Sequence, residues 1–192
     1  MGLILAFGHK KQMGKDTLAK HIIDVLRPKR ARLRIVQRGF ADKVYEVCHV
    51  VYGWAGFKSK AHYDRNPKEK EVVLPLIGKT PRRLLIDIGT PVMRAYDDDV
   101  WINCTLRGDF DVLLLTDMRF PNEFETVKKL GGHCIRVLRP SVPPSNDEAD
   151  CALDGWEDKW TETVINDGGL DKMYAEAERL VDKYITCGGL FT

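Results

Sequence analysis

The stretch Leu3-Ile4-Leu5-Ala6-Phe7-Gly8-His9-Lys10-Lys11-Gln12-Met13-Gly14-Lys15-Asp16-Thr17-Leu18 decides the fold. An apolar run of strand length enters a polar turn bounded by glycines. The turn then enters residues 17–26, where Leu18, Ile22, Val25 and Leu26 recur near helical spacing. Strand, glycine turn and helix in immediate succession make a phosphate-binding unit. Backbone N–H groups at the helix N-terminus converge on the anion, and a lysine meets its outer oxygens. Gly14 and Lys15 fill these roles. Two positions depart from the common spacing. The first glycine is Gly8, with His9 where a glycine usually stands, and the Ser or Thr that usually follows the lysine is Asp16, with Thr17 next. A carboxylate is a hard-oxygen ligand suited to Mg²⁺, directly or through water, so Asp16 and Thr17 read as metal-side residues.

Working outward, four more short runs rich in Val, Ile or Leu predict strands at residues 33–36, 112–116, 134–138 and 163–165. Helical spacing predicts helices over residues 43–51, 122–130 and 170–184. This alternation predicts an α/β protein around a mainly parallel five-stranded sheet. A chain of 192 residues holds one core, so a single domain is expected over residues 1–192. Two polar segments interrupt the alternation: residues 53–80, an exposed mobile insertion on the acceptor side, and residues 139–160, a lid-like stretch. Both also read as plain solvated loops.

With 30 Lys and Arg against 28 Asp and Glu, the formal charge of +2 argues against a dedicated duplex-DNA binder. No apolar run approaches the roughly 20 residues of a membrane helix, so the expected place is the cytoplasm. The five cysteines show neither a disulfide framework nor zinc spacing, and the five histidines show no ligand spacing. Only His9 gains interest, from its place in the loop.

Leu113-Leu114-Leu115-Thr116-Asp117 ends an apolar strand on an acid, where a second acidic residue near Mg²⁺ stands in enzymes with such loops. Taken alone, Asp117 reads equally as a helix cap. Arg94 and Arg119, with Arg136 and Arg139, suit a site that gathers several phosphates, since a planar guanidinium binds them bidentately. The bland reading is surface arginines paired with nearby acids. Trp101, beside Asp97, Asp98 and Asp99, reads as a base-stacking ring or as a core residue. Asp42 reads as a substrate-orienting carboxylate or as a helix N-cap.

Several blocks together resemble the phage-type deoxynucleoside monophosphate kinases. They are Gly14-Lys15-Asp16-Thr17, Phe40-Ala41-Asp42, Gly89-Thr90 with Arg94, Asp99-Val100-Trp101, and Asp117-Met118-Arg119-Phe120-Pro121-Asn122-Glu123. Gly131-Gly132, Arg136-Val137-Leu138-Arg139-Pro140 and Asn166-Asp167-Gly168 continue the series in order along nearly the whole chain. The resemblance implies a P-loop kinase fold of three α/β/α layers and transfer of the ATP γ-phosphoryl group to a small nucleotide acceptor. It implies catalytic Lys15, Asp16, Arg119 and Arg139, and Mg²⁺ held by Asp16, Thr17 and Asp117. It places ATP on Gly8, Lys11, Gly14, Lys15, Asp16, Thr17 and Asn166. Asp42, Tyr45, Arg94, Trp101, Asp117, Arg119 and Glu123 fall to the acceptor, and a homodimer is implied. The chain departs from the family at Tyr45, where a lysine is common a turn into the helix. It departs again at Ile86-Asp87-Ile88, which lacks a base-reading glutamine, and at Asp147-Glu148-Ala149-Asp150, which lacks a His and a Ser. A kinase of another acceptor, such as a hydroxymethylated pyrimidine in DNA, and a nucleotide-binding module without catalysis stay open.

Overall fold

The computed structural model describes residues 2–8 and 10–186, so His9 and Cys187 lie outside the described residues. In chain order the main elements open with β1 (Leu3–Gly8), α1 (Lys15–Lys29), β2 (Ile35–Arg38), α2 (Asp42–Tyr52), α3 (Lys60–Arg65), α4 (Pro81–Asp87) and α5 (Val100–Thr105). They continue with β3 (Val112–Met118), α6 (Pro121–Lys129), β4 (His133–Leu138), α7 (Glu148–Cys151), β5 (Glu162–Ile165) and α8 (Leu170–Val181). Each expected strand is present. The strands form one sheet in the order β2-β3-β1-β4-β5, every neighbouring pair parallel.

The apolar runs are continuous because the central strands are covered on both faces. Leu3 through Gly8 are all buried, and so are Val112 through Thr116. On one face Leu5, Phe7, Leu114 and Ile135 pack with Leu18 and Ile22 of α1 and Ala177 and Leu180 of α8. On the other lie α6 and the chain before β5. There Phe124 meets the rings of Trp156 and Trp160 edge-on at 5.4 and 5.0 Å, and its carbonyl stands 3.8 Å from Cys134 Sγ. Helix, sheet and helix make three layers, an α/β/α fold around a parallel five-stranded sheet. Full burial of each such aliphatic or aromatic side chain contributes about 1.5–3 kcal/mol.

The chain divides into two compact units, Gly39–Arg107 and the rest. The sheet, α1, α6, α7 and α8 belong to the second of these. Gly39–Arg107 is inserted in chain order between β2 and β3 and has its own apolar cluster, built on Val44, Tyr45, Cys48, Phe57, Tyr63, Leu84 and Trp101. The sequence set an exposed insertion at 53–80. Within it Phe57 and Tyr63 are each only 1% exposed, so the segment contributes core residues. Its helix α3 is capped by Ser59 Oγ, which accepts the His62 amide at 3.4 Å. Helix α4, just beyond it, is capped by Thr80 Oγ1, which accepts the Arg83 amide at 3.2 Å. The run from Pro67 to Glu71 is a polar 3₁₀ turn with no buried residue, in keeping with its composition. Among the described residues no helix is long and apolar enough to cross a membrane.

The early glycine has a steric reason. A Cβ on Gly8 would strike the indole of Trp160 and stand 2.9 Å from the Met118 carbonyl oxygen. Since close-packed cores resist even one added methyl, Gly8→Ala is expected to destabilise the protein by about 1–3 kcal/mol. Urea unfolding followed by tryptophan fluorescence measures this, and an unchanged midpoint would contradict it.

Candidate active site

The loop between β1 and α1 is held in shape from outside. Gly14 is the N-cap of α1 and sits in the left-handed region at φ 98, where a side chain is strained. A Cβ there would also lie 2.7 Å from Asn166 Nδ2. That amide nitrogen donates to the Met13 carbonyl at 2.9 Å, so Asn166, expected on the nucleotide, braces the loop from the end of β5. Gln12 in the same loop is also left-handed, at φ 62. A non-glycine residue there costs of order 1–2 kcal/mol, a strain that persists only where the surroundings impose it. Met13 is buried, and its sulfur lies 3.2 Å from the Arg139 amide nitrogen.

Lys15 opens α1 with its side chain turned into the loop. It is only 6% exposed, and its ammonium donates to the Lys10 carbonyl. Burial, reinforced by the nearby Arg119 guanidinium, lowers its pKa to about 8, against the opposing pull of Asp16, Asp117 and Asp150. Lys15, Arg119 and three carboxylates therefore share one electrostatic neighbourhood. Asp16 and Thr17 follow in the first turn of α1, Asp16 exposed and Thr17 partly so, and Asp117 lies half-buried near the end of β3. Among the described residues no three His, Cys, Asp or Glu side chains form a metal cage. Two carboxylates and a hydroxyl in the donor set of Asp16, Thr17 and Asp117 nevertheless have the hard-oxygen chemistry that suits Mg²⁺, which takes one or two carboxylates and fills its remaining positions with other oxygen ligands.

The Asp117–Glu123 block does more structural work than the sequence suggested. Glu123 is 2% exposed, and its Oε2 accepts the amides of Arg119 and Phe120 at 2.8 and 3.1 Å. Assigned above to the acceptor, Glu123 is here the cap that fixes the start of α6. The Arg119 guanidinium donates to Asp150 Oδ1 at 3.0 Å. Sequence reasoning passed over Asp150 because it sits in a polar run with no local pattern, yet it is fully buried. It also accepts the Lys11 amide at 3.1 Å and the Ser145 hydroxyl at 2.8 Å. Burial opposes its ionisation, but the Ser145 hydroxyl, Arg119 and Lys11 outweigh that and hold its pKa below the usual carboxylate value. Lys10 pairs with Asp154 at 2.8 Å. Arg136 pairs with Glu157 at 3.1 Å, while Arg139 is exposed.

The remaining expected residues lie in the Gly39–Arg107 unit. Trp101 is a core residue there, 3% exposed, with its indole N–H donating to the Gly89 carbonyl at 2.6 Å. Of the two readings of Trp101, this enclosure by the unit's own side chains fits the core residue. Tyr45 is buried in the same cluster, with the Lys70 ammonium 5.2 Å from its ring centroid. Asp42 accepts the Gly39 amide at 2.7 Å and stands 3.7 Å from the Lys60 ammonium. Arg94 donates to the Asp98 carbonyl at 3.2 Å and pairs with its carboxylate at 3.3 Å.

The chain matches no protein-family model. It is similar to a protein of Acanthamoeba polyphaga mimivirus named "Putative deoxynucleotide monophosphate kinase", 24% identical over 189 residues, 90% of this chain and 92% of that one. It is also similar to a protein of Escherichia phage RB69 named "Deoxynucleotide monophosphate kinase". That match is 26% identical over 111 residues, which are 52% of this chain and 44% of the phage protein. Among solved structures, shikimate kinase from Acinetobacter baumannii, in complex with shikimate, aligns over 97% of this chain and 94% of that one at 11% identity, with a TM-score of 0.47. The resemblance read from the motifs is thus matched by curated relatives named as deoxynucleotide monophosphate kinases, one of them aligned along nearly the full chain.

Two measurements follow from the geometry. A polyphosphate beside Lys15 favours its charged form and raises a pKa that stands at about 8 in the free protein. Inorganic tripolyphosphate should therefore bind at pH 8 with uptake of about half a proton at Lys15, and more weakly as the pH rises further. Calorimetry in buffers of different ionisation enthalpy reads the uptake, and Lys15→Met should abolish that component. In the other unit, Trp101→Phe leaves the Gly89 carbonyl without its donor and should cost about 1–3 kcal/mol in chemical denaturation.

Proposed function

We propose that the protein is an ATP-dependent kinase that transfers the γ-phosphoryl group to a deoxynucleoside 5′-monophosphate. The observation that carries this reading is the buried, loop-enclosed Lys15 at the start of α1, with Arg119, Asp16 and Asp117 in its electrostatic field. A kinase is supported by this loop and by relatives bearing that name. The monophosphate acceptor rests on those names together with the motif blocks along the chain.

The chemistry asks for placement and charge more than for covalent work. Loop amides and Lys15 hold the β- and γ-phosphates. Arg119, a planar donor of up to five N–H groups, takes up charge developing on the transferring group. Asp16, Thr17 and Asp117 would hold Mg²⁺, whose charge would offset part of that on the phosphates. The acceptor phosphate is largely ionised at neutral pH, so no strong general base is required. Asp42, Tyr45 and Arg94 are the acceptor-side residues of the Gly39–Arg107 unit in this reading, Tyr45 through packing. Arg139, exposed just after β4, is a candidate to close on the donor phosphates.

The test is purified protein with ATP and Mg²⁺ against each of the four free deoxynucleoside monophosphates, with diphosphate product read by chromatography. Turnover on at least one is expected, and Lys15→Ala should lower kcat by roughly 10²–10³-fold with an intact thermal unfolding transition. ATP binding without turnover on any of them, or turnover confined to a modified base within DNA, would defeat the assignment.

A further inference from the structure

We infer that Asp150 is a positioning residue that ties the phosphate loop to Arg119 and acts on phosphoryl transfer through that arginine. The inference rests on the kinase reading above. A carboxylate without solvent exposure costs several kcal/mol unless it is paired and hydrogen-bonded, so a chain that buries one needs partners for both oxygens. Asp150 has them. Oδ1 accepts the Lys11 backbone N–H at 3.1 Å and Arg119 Nη1 at 3.0 Å. Oδ2 accepts the Ser145 hydroxyl at 2.8 Å and lies 3.5 Å from the Lys11 ammonium. A single oxygen therefore joins two chain segments far apart in sequence, the turn after β1 and the turn after β3.

The plainer roles for an acid at this place are already filled. Helix α7 is capped by Asp147, which accepts the Ala149 amide at 3.1 Å. The other acids that reach the loop, Asp147 and Asp154, have side chains 40% and 46% exposed, so solvent screens their pairing with Lys11 and Lys10. Among the described residues, Asp150 is the one of these acids that meets the loop with its side chain fully buried. Arg119 is fixed twice: its backbone N–H by Glu123 Oε2 at 2.8 Å, and its guanidinium by Asp150. Asp150 accepts a single N–H of the five, which leaves the others for phosphate. The Lys11 amide, also bound to Asp150, ties the other end of the link to the loop backbone. The loop and the arginine thus keep one geometry, and a shift of about 1 Å between such groups can cost as much as 10²-fold in rate.

The experiment compares Asp150→Asn, Asp150→Glu, Ser145→Ala, Arg119→Ala and the double variant Asp150→Asn/Arg119→Ala in steady-state kinetics with the best acceptor. Asp150→Asn keeps an oxygen for the Lys11 amide but removes the charge that orients Arg119. Its kcat should fall about 10–100-fold with KM for ATP changed less than about threefold. In the Arg119→Ala background the same change should cost less than about twofold more, because its effect passes through the missing arginine. Asp150→Glu should recover part of the loss. Ser145→Ala, which frees Oδ2 without removing charge, gives a smaller loss and serves if the asparagine variant does not fold. Unchanged kcat in Asp150→Asn, or full additivity in the double variant, would overturn the inference. Tighter ATP binding in Asp150→Asn would also overturn it, since that is the behaviour of a carboxylate merely standing in for phosphate. Hydrogen exchange of the Lys11 amide gives a readout without turnover: it should accelerate in Asp150→Ala, and unchanged protection would count against the link. If the wild type transfers phosphate to no monophosphate, the kinase reading fails while this exchange still decides whether Asp150 holds the loop.

Discussion

Everything at the site follows from placing an ammonium group at the buried end of a parallel sheet. Lys15 is nearly excluded from water, and exclusion favours its neutral form, as the lowering of its pKa to about 8 records. Such a group is useful only if an anion is expected, and it is tolerable beforehand only if local dipoles receive it. The Lys10 carbonyl does so, and Asp16, Asp117 and Asp150 supply the opposing charge. A ligand rich in phosphate oxygens completes what the protein leaves partly compensated. In the absence of ligand the same burial works against folding at low pH. Between pH 8 and the unbound lysine value, the unfolded chain holds more protons than the folded one, so this contribution to stability improves as the pH rises through that window.

The sheet was legible because its signals are strong and short-ranged. A buried parallel strand must be apolar on both faces, and five such runs stand out between turns. The long helices α1, α2, α6 and α8 have enough turns for apolar residues to recur visibly. The pieces α3, α4 and α5 span only 6, 7 and 6 residues. Under two turns cannot show a period, so residues 53–80 read as a polar excursion although Phe57 and Tyr63 sit in a core, and α4 and α5 beyond it gave no helical signal. Composition counted the lysines and glutamates at the surface of that unit and missed the few large side chains that hold it.

Site residues were legible where chemistry is local and obscure where it is tertiary. Gly14 and Lys15 are recognisable because loop, glycine and lysine adjoin in sequence. Asp150 is not, for its partners Lys11 and Arg119 come from distant turns and nothing beside it marks it. Glu123 and Trp101 went the other way. Both sit in or beside motif blocks, yet one caps a helix and the other fills a core, holding Gly89 by its indole N–H. A motif preserves residues that shape a site as readily as residues that touch a ligand, and residue type alone does not separate the two.

The common direction of the strands explains why one region collects the chemistry. Parallel strands all end at the same edge of the sheet, and the crevice outside those ends is where α/β folds bind ligands. Gly8 ends β1, Asp117 is the penultimate residue of β3, Arg139 follows β4 and Asn166 follows β5. From those ends come the loop that encloses Lys15, the acid in its electrostatic field, the amide that touches Met13 and the side chain that braces the Met13 carbonyl. Asp150 joins this edge from outside the sheet and ties the turn after β1 to the turn after β3. The strands fix where each turn begins, but turns are free to drift at their tips. A buried carboxylate shared between two of them removes that freedom where a phosphoryl group would have to be met from both sides.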